Sequence, residues 1–173
     1  MRTQFFRFNL YLCLVLVLGL GAGCKSDPSK YSRRDQASLR LFLEVNPDGS
    51  DSNQPVLIGR EQPFALNVEK KAFLTEFNIE KAAVVDTMGG FSISVRFDKE
   101  GAWLLEQYTT AHKGKHVAIA AEFGQARWLG APLITQRIAD GLLVFTPDAT
   151  RAEAERIISG LNRVGELVRK GRM

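Results

Sequence analysis

Leu39, Leu41, Leu43 and Val45 alternate with Arg40, Phe42 and Glu44, a period of two that sets one apolar row against a core. Asn46-Pro47-Asp48-Gly49 then turns the chain. Phe64, Leu66 and Val68 repeat the alternation, and residues 55–58 make a short strand between the two, after a polar loop at 51–54. Residues 82–85 and the row Phe91, Ile93, Val95, Phe97 form a hairpin around Asp86-Thr87-Met88-Gly89-Gly90. Val117, Ile119, Ala121 and Phe123 predict a further strand. Ala118 and Ala120 lie on its other face, small enough for a helix to lie close. Residues 127–134 and 142–145 supply two more strands, with Pro132 marking an edge or a bulge in the first.

The period changes twice. Asp98 is placed to cap free amides and Gly114 to terminate in the left-handed region, which predicts a helix over 99–113 with the core stripe Leu104, Leu105, Tyr108 and Ala111. Thr150 and Glu153 have the spacing of a reciprocal capping box, and Ala154, Ile157, Ile158, Leu161, Val164 and Val168 follow at helical intervals. Gly160, Asn162 and Gly165 weaken its later turns, so the regular helix is expected to end near Asn162 and to leave a basic tail over 164–173. The fold class is therefore α+β: a mainly antiparallel sheet with two amphipathic helices packed on one face.

Composition narrows the chemistry. The chain has 173 residues, 45% hydrophobic and 24% charged, which is the make-up of a folded globular protein and too short for a large multidomain enzyme. With 2 Cys and 2 His there is little material for a metal or thiol centre, and no cofactor or metal is expected. The sequence has no Gly-x-Ser-x-Gly elbow and no glycine-rich phosphate loop. His112 and His116 are four apart, like ligands on one helical turn, but Gly114 between them reads as the end of the helix. Asp98 and Glu100 are explained by capping and the helix dipole rather than as an acid pair.

Arg2 and Arg7 precede an apolar run over residues 10–22, the order of an export signal, and the run is shorter than the ~20 residues of a membrane span. It ends Leu20-Gly21-Ala22-Gly23-Cys24, which resembles the lipobox of bacterial lipoproteins, although Gly21 stands where that family has a large aliphatic residue. The resemblance implies cleavage before Cys24 and acylation of its sulfur, giving a protein anchored on the outer side of a bacterial membrane. With two membranes, the resemblance implies the outer one, because Lys25 rather than aspartate follows the cysteine. Cleavage would remove Cys13, leaving no partner for a disulfide, and would lower the formal charge of +4 by two, too little to argue for nucleic acid. Residues 24–38 are polar and without periodicity, and read as a tether.

Several weak motifs then occur in register. Leu74-Thr75 with Ile79, Val95-Arg96-Phe97-Asp98-Lys99-Glu100-Gly101-Ala102, Gly114-Lys115 before Ala118-Ile119, Ala131-Pro132-Leu133-Ile134, and Leu143-Val144-Phe145-Thr146 before a capped helix together resemble the head subdomain in the first periplasmic domain of SecD. The resemblance covers residues 74–163, leaving 39–73 as an N-terminal strand region. It implies an antiparallel layer backed by two helices, and a head that contacts emerging preprotein. The membrane spans that carry the proton pathway in SecD-type subunits have no counterpart in this reading. The expectation is a noncatalytic, membrane-tethered module that binds secreted, unfolded polypeptide or Sec translocase components, with Trp103, Arg127 and Trp128 as exposed contact residues. A self-associating structural envelope lipoprotein is the second reading, and an enzyme using His112, His116 and Asp98 the third.

Overall fold

The computed structural model describes residues 36–171. The export signal, Cys24, the tether as far as residue 35 and the last two residues of the basic tail lie outside the described residues. The elements are β1 (Ser38–Leu43), β2 (Asn53–Ile58), β3 (Phe64–Glu69), a 3-10 turn (Glu76–Asn78), β4 (Ile79–Thr87), β5 (Gly90–Phe97), α1 (Lys99–Ala111), β6 (Val117–Glu122), β7 (Ala126–Gly130), β8 (Leu142–Phe145) and α2 (Arg151–Arg169). They form a sheet in the order β1-β6-β7, a β2-β3 ribbon and a sheet in the order β4-β5-β8, every pairing antiparallel. The α+β class and the antiparallel pairing agree with the alternation in the sequence. Among the described residues no helix is long and apolar enough to cross a membrane.

One core joins the two larger sheets and both helices. Leu39, Leu41 and Leu43 of β1 meet Ile119 and Ala121 of β6, Ile93, Val95 and Phe97 of β5, Leu105 of α1, and Ile157 and Leu161 of α2. Fully burying each such leucine or isoleucine contributes ~1.5–3 kcal/mol. Asp98 caps α1 by accepting the Gly101 amide at 2.8 Å, and Gly114, at φ +86°, turns the chain after the helix. The inward line of α1 is not the predicted stripe. Gly101, Leu105 and Thr109 are buried, Leu104 and Tyr108 are half-buried, and Ala111 is exposed. The line turns because a Cβ at 101 would lie 2.9 Å from the Asn78 Cβ, so the helix presents its glycine there, and Thr109 satisfies its buried hydroxyl on the Leu105 carbonyl at 2.7 Å.

The small-residue face of β6 is covered by strands rather than by a helix. Ile58, Leu66 and Val68 of the β2-β3 ribbon pack on Ala118, with Phe42, Val56, Trp128 and Ala131 around them. Ala118 leaves room, but the apolar row that fills it comes from the ribbon, because the inward faces of both helices are spent on the main core.

α2 runs on to Arg169, past the expected stop near Asn162. Its glycines are contact points. A Cβ at 160 would lie 2.7 Å from the Cβ and the amide nitrogen of Ala37, and one at 165 would lie 2.9 Å from the Ile79 carbonyl oxygen. Burial of Val164 and partial burial of Leu167 and Val168 hold the later turns. The tail thus begins with helix, and tertiary packing overrides the low intrinsic propensity of glycine. Gly160→Val is expected to destabilise the fold by ~1–3 kcal/mol despite its better helix propensity, because the added carbons have no space. The thermal midpoint checks this, with Ser159→Ala on the exposed face as the near-neutral control.

Candidate functional site

Strand edges are where a β-rich domain can recruit another chain, unless something covers their outward main-chain groups. On β1, the Leu41 amide donates to the Leu74 carbonyl and the Leu41 carbonyl accepts from the Phe73 amide, both at 2.9 Å, while the chain just after β1 donates from Val45 to Asn67 at 2.9 Å. On β7, the Leu129 carbonyl accepts from Asp148 at 2.6 Å. β2 is bonded to β3 through pairs in phase with Lys70 donating to Ser52, so its outward positions are 53, 55 and 57, and Pro55 has no N–H to offer.

β4 is closed by side chains from α2. Asn162 accepts the Ala82 amide on Oδ1 at 2.8 Å and donates from Nδ2 to the Ala82 carbonyl at 2.9 Å, the two bonds a neighbouring strand would make. Arg169 donates to the Glu80 carbonyl at 2.8 Å.

β8 differs. Ala82 points its groups away from β5, so its partner Val95 points toward β8, where it meets Leu143. Leu142 and Val144 therefore face outward. The Leu142 amide is taken by the Asp140 carboxylate at 3.1 Å, but among the described residues nothing takes the N–H and C=O of Val144. These groups belong to the wall of a trough of about 510 Å³ lined by residues 132–140 and 142–144.

The opposite wall has the same character. Ile134 donates to Lys115 at 2.8 Å and Val117 to Pro132 at 3.0 Å, flanking the bridge between His116 and Leu133, so the main-chain groups of Leu133 point away from β6. Leu133 and Val144 are 49% and 48% exposed, two apolar side chains on one trough. The loop is held in place by Ile138 donating to the Thr109 hydroxyl at 3.0 Å, by an ion pair between Arg137 and Glu106 of α1, and by Arg96 donating to the Asp140 carbonyl at 3.5 Å. An anchored apolar wall beside an unpaired strand edge is the arrangement that takes up an extended peptide, with main-chain bonds for affinity and side-chain pockets for preference.

The three residues singled out in the sequence do not converge on this trough. Trp103 is 56% exposed and borders a shallow hollow with Glu106, Gln107, Thr110 and Ala111, none of which lines the trough. Arg127 and Trp128 are packed rather than exposed. Trp128 sets its ring edge-on to Phe42 at 5.2 Å beneath the ribbon. Arg127, with 17% of its side chain exposed, lies over the Phe123 ring and pairs with Glu153 at 3.2 Å. Both sit on a strand covered on one side by the ribbon and on the other by α2, a long-range fact that local sequence does not carry. The residues of the trough were missed for the same reason, although Pro132 did mark the chain there as an edge.

The remaining polar candidates are engaged in structure. His112 caps the end of α1 through Nδ1 and the Tyr108 carbonyl at 3.1 Å. His116 meets Glu44 through both its amide and Nδ1 at 2.7 Å. Burial pushes the Glu44 carboxyl up, but these bonds from His116 outweigh it and hold the group below its ordinary range. Among the described residues there is no group of three or more His, Cys, Asp or Glu side chains able to hold a metal ion.

Glu153 is the centre of an ionic clasp. The Thr150 amide and the Arg127 guanidinium hold its carboxyl down at about 2, and Arg60 from the ribbon turn reaches both Asp148, at 3.0 Å, and Glu153, at 3.8 Å. A carboxyl whose pKa is depressed on folding contributes stability that is complete above its ordinary value of 4.5 and is lost as pH falls toward 2. The urea midpoint is therefore expected to fall over that window, and Glu153→Gln is expected to lower it at neutral pH while flattening the acid slope.

Comparisons with known proteins identify the fold and the family. The family model of the SecDF P1 head subdomain matches residues 52–167. The protein translocase subunit SecD of Rhodothermus marinus is 29% identical over 126 residues, which is 72% of this chain and 19% of that protein, so the chain spans about a fifth of its relative's length. Among solved structures, SecDF described as a membrane component that enhances protein export superposes with a TM-score of 0.53 at 22% identity, over 73% of this chain and 62% of that one. SecDF in its super-membrane-facing form gives 0.53 at 23% identity, over 73% and 18%. At such identities the superpositions speak for the fold, and the family match carries the assignment: this chain belongs to the SecDF P1 head subdomain family.

Proposed function

We propose that this protein is a noncatalytic binding module of the bacterial cell envelope, held on the extracytoplasmic side by lipid on Cys24, that takes up extended segments of secreted polypeptides or of the export machinery. Its two helices back one face of the sheet and leave β8 free to accept a strand. The observation that carries the reading is the unpaired main chain of Val144 in an apolar trough, found in a chain whose family belongs to protein export. Binding rather than turnover is supported by the commitments of the polar candidates: Asp98 to its cap, His112 to the helix end and His116 to Glu44.

A photoreactive residue at Leu133, on the trough, is expected to crosslink to secretory chains or Sec proteins in exporting cells. The same residue at Ala152, exposed on α2, is the comparison. Equal yields at the two positions would refute the reading. Alkyne fatty-acid labelling, lost in Cys24→Ser, tests the anchor separately. A structural lipoprotein that self-associates is the second reading, favoured by the same feature, since an open β8 pairs as readily with a second β8. A concentration-dependent dimer crosslinked at Leu133, with no secretory adduct, would select it.

A further inference from the structure

The two walls of the trough run in opposite directions and touch at one end. There the Leu129 carbonyl accepts the Asp148 amide at 2.6 Å, and a Cβ on Gly130 would lie 3.4 Å from the Thr146 carbonyl oxygen. From that contact one chain runs forward to Leu133 and the other runs back to Val144, ~10 and ~7 Å of extended backbone. Between them the walls part to leave the trough of about 510 Å³.

Both walls present unpaired main chain. The bonds from Ile134 to Lys115 and from Val117 to Pro132 turn the N–H and C=O of Leu133 away from β6, and the pairing of Val95 with Leu143 turns those of Val144 away from β5. Among the described residues neither set of groups has a partner. The charged residues of the lining are engaged: Arg137 pairs with Glu106, and the Asp140 carboxylate accepts the Leu142 amide. Neutral donors and acceptors on two edges of one trough are complementary to the main chain of another strand. A strand takes up ~4.8 Å in the hydrogen-bonding direction and ~10 Å between packed faces, so this volume holds ~10 Å of it, about three residues.

We infer that the trough seats a polypeptide segment as an interior strand, bonded to β8 on one flank and to the Leu133 segment on the other. This deepens the strand-uptake reading and rests on it. Because the walls run oppositely, the guest is antiparallel to one and parallel to the other. The antiparallel wall bonds one guest residue through both its groups, and the parallel wall bonds the residues on either side of it. In either direction the seat takes three residues, in agreement with its volume. The occupant is thereby fixed in kind. It must have both edges free, as an unfolded segment has; β8 of a second copy, already paired with β5, has only one. Two successive guest residues donate their N–H, so proline is excluded from both positions.

Amide exchange read by NMR on the full-length chain tests this, with an end-capped peptide of alternating threonine and valine flanked by lysines as the probe. At about ten times the Kd of the peptide, exchange at the Val144 and Leu133 amides is expected to slow together, each about tenfold. Slowing at Val144 alone overturns the inference and leaves uptake by β8 standing, whereas slowing at neither defeats that reading as well. Slowing at Val144 that grows with protein concentration in the absence of peptide makes a second copy the occupant and also overturns the inference. Leu133→Pro, which removes the outward N–H, is expected to bind the peptide about fivefold more weakly than Leu133→Ala, the worth of one hydrogen bond. Equal affinities in the two variants, with thermal scans showing both folded, would remove the Leu133 flank from the seat.

Discussion

Asn162→Ala is expected to destabilise the fold by ~2–4 kcal/mol and to make the protein associate through β4. The amide of Asn162 makes two bonds to Ala82, and truncation strands an N–H and a C=O beside a core residue, each costing about 1–3 kcal/mol when left without a partner. Asn162→Asp is the discriminating control. It retains an acceptor for the Ala82 amide but sets a carboxylate against the Ala82 carbonyl, so it should recover little of the loss. Urea titrations at a constant slope measure the change, and sedimentation measures the association. A drop below about 0.5 kcal/mol, with the protein still monomeric, would mean that the edge is closed by something other than this side chain.

Val144→Pro is expected to abolish capture of an unfolded secretory precursor, by at least about tenfold in affinity, while changing stability by less than ~1 kcal/mol. Proline removes the outward N–H that an incoming strand would bond, and an edge position whose N–H is outside the ladder tolerates it. One residue earlier the result inverts. Leu143 is buried and bonded to Val95, so Leu143→Pro should cost ~3 kcal/mol or more. Fluorescence titration with the unfolded precursor and a thermal scan separate the two outcomes. Full binding by a stable Val144→Pro protein would remove β8 from the proposed function.

The sequence was most legible where local pattern and tertiary environment agree. The alternation of Phe91, Ile93, Val95 and Phe97 and the caps at Asp98 and Thr150 became β5, α1 and α2 because each signal lies within a few residues of its effect. It was least legible where a distant segment decides. Gly160 and Gly165 read as helix breakers until Ala37 and Ile79 are seen against them. Ala118 asked for a close neighbour without naming the ribbon. Arg127 and Trp128 look like surface residues, and only the ribbon and α2 bury them. The site is the extreme case. Val144 differs from Leu41 or Leu129 not in residue type but in lacking a long-range partner on its edge, and the absence of a partner leaves no trace in a local pattern.

The pairing of β1 with β6 has a consequence for the order in which the molecule can assemble. Glu44 and His116, which close the end of that pair, are 72 residues apart, and the Ala82 to Asn162 bonds span 80. Contacts of such separation raise the loop-closure cost and slow folding. A chain delivered from its N-terminus would present β1 with no strand to join until β6 followed, and β4 with no cover until the final helix arrived. A chain emerging from its N-terminus therefore stays unlocked for most of its length, and its native contacts close only as the last segment arrives.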